Sequence, residues 1–133
     1  MRKLLVLLPL LLVLVSCTDR ALTPRPGHYV LSSPAEDASR APSLTLVPEE
    51  KTLTFFYGYD VQAVYQAQGV CALADQQLIC RSSDGGFTCM FRVVDENTLA
   101  YDAARSDALF LLDDRMQNGE RIADGSVFLR KNE

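Results

Sequence analysis

The sequence predicts an all-β protein: a small antiparallel meander barrel or half-barrel of about eight strands, with one short N-terminal helical turn. Three observations predict it. From Ser43 onward apolar residues recur mostly at every second position, which is the period of a half-buried strand. Turn signals rich in Gly, Asp and Asn interrupt that pattern every eight to twelve residues, the cadence of a meander. The eight to ten short strands that result are enough for a sheet to curl on itself and protect its edges.

The elements follow in order. Residues 28–32 form a first strand, and Ser33-Pro34-Ala35-Glu36 then combines a capping-box pattern with Pro at the first helical position, giving a single helical turn that ends before Pro42. Leu44 and Leu46 alternate with Ser43 and Thr45, Pro48-Glu49-Glu50-Lys51 turns the chain, and Leu53, Phe55 and Tyr57 alternate with Thr52, Thr54 and Phe56. Further strands are expected at 63–69, 70–74, 77–81, 87–94 and 98–102, with Asp95-Glu96-Asn97 turning between the last two. Residues 103–119 carry two patterns. Ser106-Asp107-Ala108 can cap a helix with Leu109, Leu112 and Met116 on one face and Gly119 as its stop, whereas residues 108–112 alone suit a strand. A strand or irregular segment is the reading adopted. After Asp124-Gly125, residues 126–130 close the sheet with Val127 and Leu129 on one face and Phe128 on the other.

The N-terminus is of another kind. Arg2 and Lys3 precede an apolar run from Leu4 to Val15, which is the length of a signal-peptide core and shorter than the ~20 residues that span a bilayer. The run ends in Leu14-Val15-Ser16-Cys17, which resembles a lipobox, whose cysteine is lipidated on sulfur and becomes the new N-terminus after cleavage. The organisation expected is a lipoprotein signal peptide at 1–16, the lipidated cysteine and a tether at 17–27, and a β-barrel-like domain at 28–133. Thr18 follows the cysteine where an inner-membrane retention signal would place aspartate, so an outer membrane is favoured in a host with two. The expected location is the bacterial cell envelope, anchored by lipid and facing the periplasm or the exterior.

The signal removes Arg2 and Lys3, leaving 11 Lys and Arg against 17 Asp and Glu, a net of −6. With no basic cluster, nucleic acid is not an expected partner. Export permits disulfides, and Cys71, Cys80 and Cys89 remain after Cys17, each nine residues from the next. A two-residue turn at Asp75-Gln76 sets Cys71 opposite Cys80, and a hairpin turning at Asp84-Gly85 sets Cys80 opposite Cys89, so the sulfurs share one lateral row. Strands lie ~4.8 Å apart, which puts Cys71 and Cys89 beyond bridging range and makes Cys80 the shared partner. The pairing favoured is Cys71 with Cys80, leaving Cys89 a buried thiol. Two alternatives stand beside it: three reduced core thiols, and a zinc site that lacks the usual clustered spacing.

Several motifs carry a family resemblance: Gly69-x-Cys71, Phe87-x-x-x-Phe91-Arg92-Val93, Asn97-Thr98-Leu99-x-Tyr101 followed by Ser106, and Asp124-Gly125-Ser126-Val127-Phe128. Over roughly residues 43 to 130 the chain resembles small bacterial lipoproteins with a lipocalin-like, or calycin-like, domain of unassigned function. The resemblance implies a barrel and carries no catalytic residue. Such domains often show an aromatic where Cys71 stands, so the cysteine row departs from their pattern.

No nucleophile signature, phosphate-binding glycine loop or metal-ligand cluster is evident, His28 is the only histidine, and neither enzyme activity nor a cofactor is expected. Two functions remain. One is a non-catalytic protein-interaction module, of the inhibitor or immunity kind, acting on an envelope partner through exposed loops. The other is lipocalin-like uptake of a small apolar ligand or lipid by an interior lined with Phe55, Tyr57, Tyr65, Phe87, Phe91 and Tyr101. Those aromatics are most simply core, because an eight-stranded barrel is only just wide enough for its own side chains. The interaction reading therefore leads. A cavity of ~300 Å³ or more inside the barrel would reverse that order.

Overall fold

The computed structural model describes residues 23–32, 40–59 and 64–131. These form ten strands: β1 (Gly27–Leu31), β2 (Pro42–Glu49), β3 (Thr52–Tyr59), β4 (Val64–Ala74), β5 (Gln77–Ser82), β6 (Thr88–Asp95), β7 (Thr98–Tyr101), β8 (Phe110–Leu112), β9 (Asn118–Arg121) and β10 (Val127–Arg130). Eight of them close into an antiparallel barrel with the neighbour order β1-β10-β7-β6-β5-β4-β3-β2, while β8 and β9 pair separately as an inserted hairpin. The all-β barrel expected from the alternation is the fold observed.

Closure follows from the period-two pattern read around the ring. Leu44 pairs with Tyr29 and Tyr57, Phe55 with Leu46 and Gly69, Leu78 with Phe91, and Phe128 with Leu99. Each of these is buried, and all but Gly69 carry apolar or aromatic side chains, so one face of the paired strands points inward. The rings fill that interior. Phe91 meets Phe128 edge-on at 5.2 Å and Tyr101 at 6.0 Å, and Tyr57 stacks on Phe87 at 5.2 Å.

The strands expected at 63–69 and 70–74 are one continuous β4, because Gly69 is not a break. It sits where the β5 backbone leaves no room for a side chain, since a Cβ there would lie 2.0 Å from the Arg81 carbonyl oxygen. Glycine keeps the ladder intact there, with Phe55 as its partner on β3. Residues 103–119 resolve into a 3-10 turn at Ala103–Arg105 followed by short strands, and no long helix forms there. The helical turn expected at Ser33-Pro34-Ala35-Glu36 lies outside the described residues.

The two ends of the barrel differ. At one end Glu50-Lys51, Asp75-Gln76 and Glu96-Asn97 are tight connections, and both Asp75 and Gln76 have positive φ (51° and 64°), as a type I′ turn demands. Pro24 to Gly27, read from sequence as the end of the tether, pack across this end. Arg25 N–H donates to Glu96 O at 2.8 Å, the Tyr29 hydroxyl donates to Arg25 O at 2.7 Å, and Arg130 Nε donates to Pro26 O at 2.8 Å. At the opposite end lie the β5–β6 loop and the long excursion from Asp102 to Ser126 that carries the β8–β9 hairpin.

Candidate functional site

The loop-bearing end is where side-chain chemistry gathers. The inserted hairpin covers the barrel there, burying Leu109, Leu112 and Ile122, with Leu109 and Ile122 joining the core. Tyrosine hydroxyls from the barrel fasten it: Tyr59 donates to Phe110 O at 2.5 Å and Tyr101 to Asp107 O at 2.7 Å. Ser106 ties the approach to the hairpin, accepting from Met90 N–H at 2.7 Å and donating to Asp102 O at 2.6 Å. Arg40 forms an ion pair with Asp114 on the hairpin.

Tyr57 has no such partner. Its hydroxyl is buried beside that of Tyr59 and makes no hydrogen bond with a described residue. Burial pushes this phenol well above its usual pKa, with the neighbouring Tyr59 hydroxyl adding to the rise. Tyr59 and Tyr101 are also raised by burial, so the cluster stays neutral across the physiological range.

Beside this cluster a recess of about 630 Å³ opens between the start of β4 and the β5–β6 loop. Gln66, Gln68, Ser83 and Asp84 form its polar walls, and Phe87, backed by the Tyr57 ring, is its apolar surface. The loop is held from within. Asp84 Oδ1 accepts from Ser82 Oγ at 2.6 Å and from Gly86 N–H at 2.9 Å, bonds that lower the Asp84 pKa. Ser83 N–H donates across to Gln68 O at 2.9 Å.

The aromatics marked in the sequence divide between core and rim. Phe55, Phe91, Tyr57 and Tyr101 are at most 3% exposed and pack among barrel side chains, whereas half-buried Phe87 reaches the recess. The Tyr65 side chain lies outside the described set. Sequence reasoning missed Gln66, Gln68 and Ser83. No motif marks such residues, and only the pairing of β4 with β5 brings them together.

The cysteines take the expected register, Cys71 opposite Cys80 and Cys80 opposite Cys89, with Cys71 Sγ and Cys80 Sγ unbonded at 3.2 Å. The two pairs differ in kind. Ser83 N–H bonds Gln68 O, and counting in twos along β4–β5 makes Cys71–Cys80 a non-hydrogen-bonded pair, the type with the closer side chains. Ser82 N–H bonds Phe87 O, and the same count makes Cys80–Cys89 a hydrogen-bonded pair. Burial, and then the flanking thiols, push the Cys80 pKa well above the usual thiol value. Such a thiol is a poor nucleophile. Among the described residues no group of three or more His, Cys, Asp or Glu is arranged to hold a metal ion.

Comparison with family models, with curated proteins and with solved structures gives no match.

Proposed function

We propose that this chain is an exported lipoprotein, acylated at Cys17, that works without catalysis as a protein-interaction module of the bacterial envelope. The observation that carries the proposal is the filled barrel. Tyr29, Phe55, Phe91 and Phe128 are fully buried inside it, the N-terminal segment packs across one end, and the hairpin covers the other. A small apolar ligand or lipid would have to displace those rings, so lipocalin-like architecture here supports a rigid scaffold better than a carrier. The recess offers no substitute, since amides, hydroxyls and a carboxylate line an open hollow. Apolar ligands favour enclosed, mostly apolar sites.

Connectivity supports an orientation. Thr23 enters at the tight-turn end, and five residues lie between it and Cys17, which limits the span to ~20 Å. The tight turns therefore lie nearest the membrane, and the loop-bearing end is presented to a partner.

A photo-crosslinking residue placed at Ser83 or Arg115 in the anchored protein should yield a discrete adduct in envelope membranes. The same residue at Lys51 or Asp75 should not. Identical patterns from both ends, or a stoichiometric lipid or other apolar molecule held by the purified barrel in native mass spectrometry, would overturn the proposal.

A further inference from the structure

We propose that the recess beside the β5–β6 loop seats a basic side chain, arginine or lysine, contributed by the protein partner; this rests on the interaction reading above and names the chemistry of its contact. The first support is the donor and acceptor balance of the walls. Asp84 uses Oδ1 for Ser82 and Gly86, and its other oxygen has no hydrogen bond or ion pair with a described residue. The amides of Gln66 and Gln68 can turn their carbonyl oxygens to the same hollow, and the Ser83 hydroxyl, which donates to Gln68 O at 3.4 Å, keeps its oxygen lone pairs as acceptors. A ligand group with several N–H donors and a positive charge satisfies that set, whereas an anion would face the carboxylate.

The second support is Phe87. Its ring stacks on Tyr57 at 5.2 Å, which fixes its orientation, and it contributes the aromatic surface of the recess. A guanidinium or ammonium is attracted to such a ring while its methylene stem covers apolar surface. The third is net charge. Asp107 accepts from Thr88 N–H beside Phe87, and the segment 102–124 that includes it carries Asp102, Asp107, Asp113, Asp114, Glu120 and Asp124 against Arg105, Arg115 and Arg121, with Asp114 paired to Arg40. That surplus favours approach of a basic protein surface and adds to its encounter rate at low salt.

The test uses the mature, full-length protein in detergent micelles, with Nα-acetyl-arginine amide as the probe and Nα-acetyl-glutamine amide as its neutral control, read by amide chemical shifts. The expected result is a saturable shift confined to residues 66–68 and 82–87, with affinity on the order of millimolar, weakened by salt and absent for the control. Asp84→Asn removes the charge yet keeps an oxygen for Ser82 and Gly86, so the loop should persist while affinity falls about three- to fivefold. No shift, shifts spread over the acidic segment, or an affinity unchanged in Asp84→Asn would overturn the inference. Cross-linking separates the two readings. If Asp84→Asn protein still gave the full loop-end adduct, the partner would dock elsewhere on that end and only this inference would fall. If the unaltered protein gave no loop-end adduct, the interaction reading itself would fail.

Discussion

Oxidation of the Cys71–Cys80 pair is the perturbation whose consequence the structure defines best. The sulfurs are 3.2 Å apart in a non-hydrogen-bonded pair, and a bond near 2.05 Å needs only a small side-chain adjustment. The chemistry balances when an oxidised disulfide donor, such as glutathione disulfide, accepts the two electrons and two protons and leaves as two thiols. The bridge encloses the ten residues from Cys71 to Cys80. In the chain-entropy treatment a loop of that length contributes about 2.7 kcal/mol, an upper figure because the Asp75-Gln76 turn already biases the unfolded hairpin. For a domain of this size that corresponds to a rise in Tm of roughly 10 °C. Mature protein should be treated with the donor, digested without reduction and mapped by mass, with thermal unfolding recorded before and after dithiothreitol. A 71–80 linkage, one free thiol at Cys89 and a reversible rise in Tm are expected. Three free thiols, a link from Cys80 to Cys89, or a bridge that leaves Tm unchanged would refute the reasoning from strand parity.

Further perturbations have equally direct outcomes. Gly69→Ala forces a Cβ onto the Arg81 carbonyl at 2.0 Å and should lower stability by about 2–3 kcal/mol in urea unfolding. Gln76→Gly relieves a residue held at φ 64° and should raise stability by about 0.5–1 kcal/mol in the same assay. Tyr57→Phe removes a buried hydroxyl without a partner and should be neutral or stabilising, whereas Tyr59→Phe strips the donor from Phe110 O and should cost about 1 kcal/mol. Burial raises the folded-state pKa of Tyr29 from 10.0 to about 12 and also raises those of Tyr57, Tyr59 and Tyr101. Their contribution is therefore fully present below pH 10 and is lost as pH rises, through about pH 12 for Tyr29, so Tm measured across pH 8 to 12 should hold and then fall above 10.

The alternation of Leu44, Leu46, Phe55 and Tyr57 made the barrel legible, because burial on one face of a twisted sheet is a local constraint written every second residue. The turns at Asp75-Gln76 and Asp84-Gly85 fixed the cysteine row by counting alone. The strands expected at 63–69 and 70–74 are one because Gly69, at their boundary, accommodates a close backbone approach that only the partner strand reveals. Residues 103–119 were ambiguous for a related reason. Leu109 and Leu112 suit a helical face, yet Leu109, Leu112 and Ile122 are buried by a hairpin lying against the barrel end, a tertiary context that overrides local periodicity. The recess was not legible, since Gln66 and Gln68 on one strand meet Ser83 and Asp84 of a loop only after the sheet has paired.

Closure also restricts how the proposed partner could be held. A closed barrel has no unpaired edge, so recognition by adding a strand is not open to the eight strands that form it. The inserted hairpin does present an edge, but β8 and β9 are three and four residues long, and all four residues of β9, including Glu120 and Arg121, are exposed. Short length and charge are the devices by which proteins keep such edges from pairing. What remains at the loop-bearing end is contact through side chains, where the barrel supplies rigidity and the loops supply chemistry. The recess with its uncommitted Asp84 oxygen and its braced Phe87 ring is the place at that end where one inserted side chain would meet charge, hydrogen-bond acceptors and an aromatic surface together.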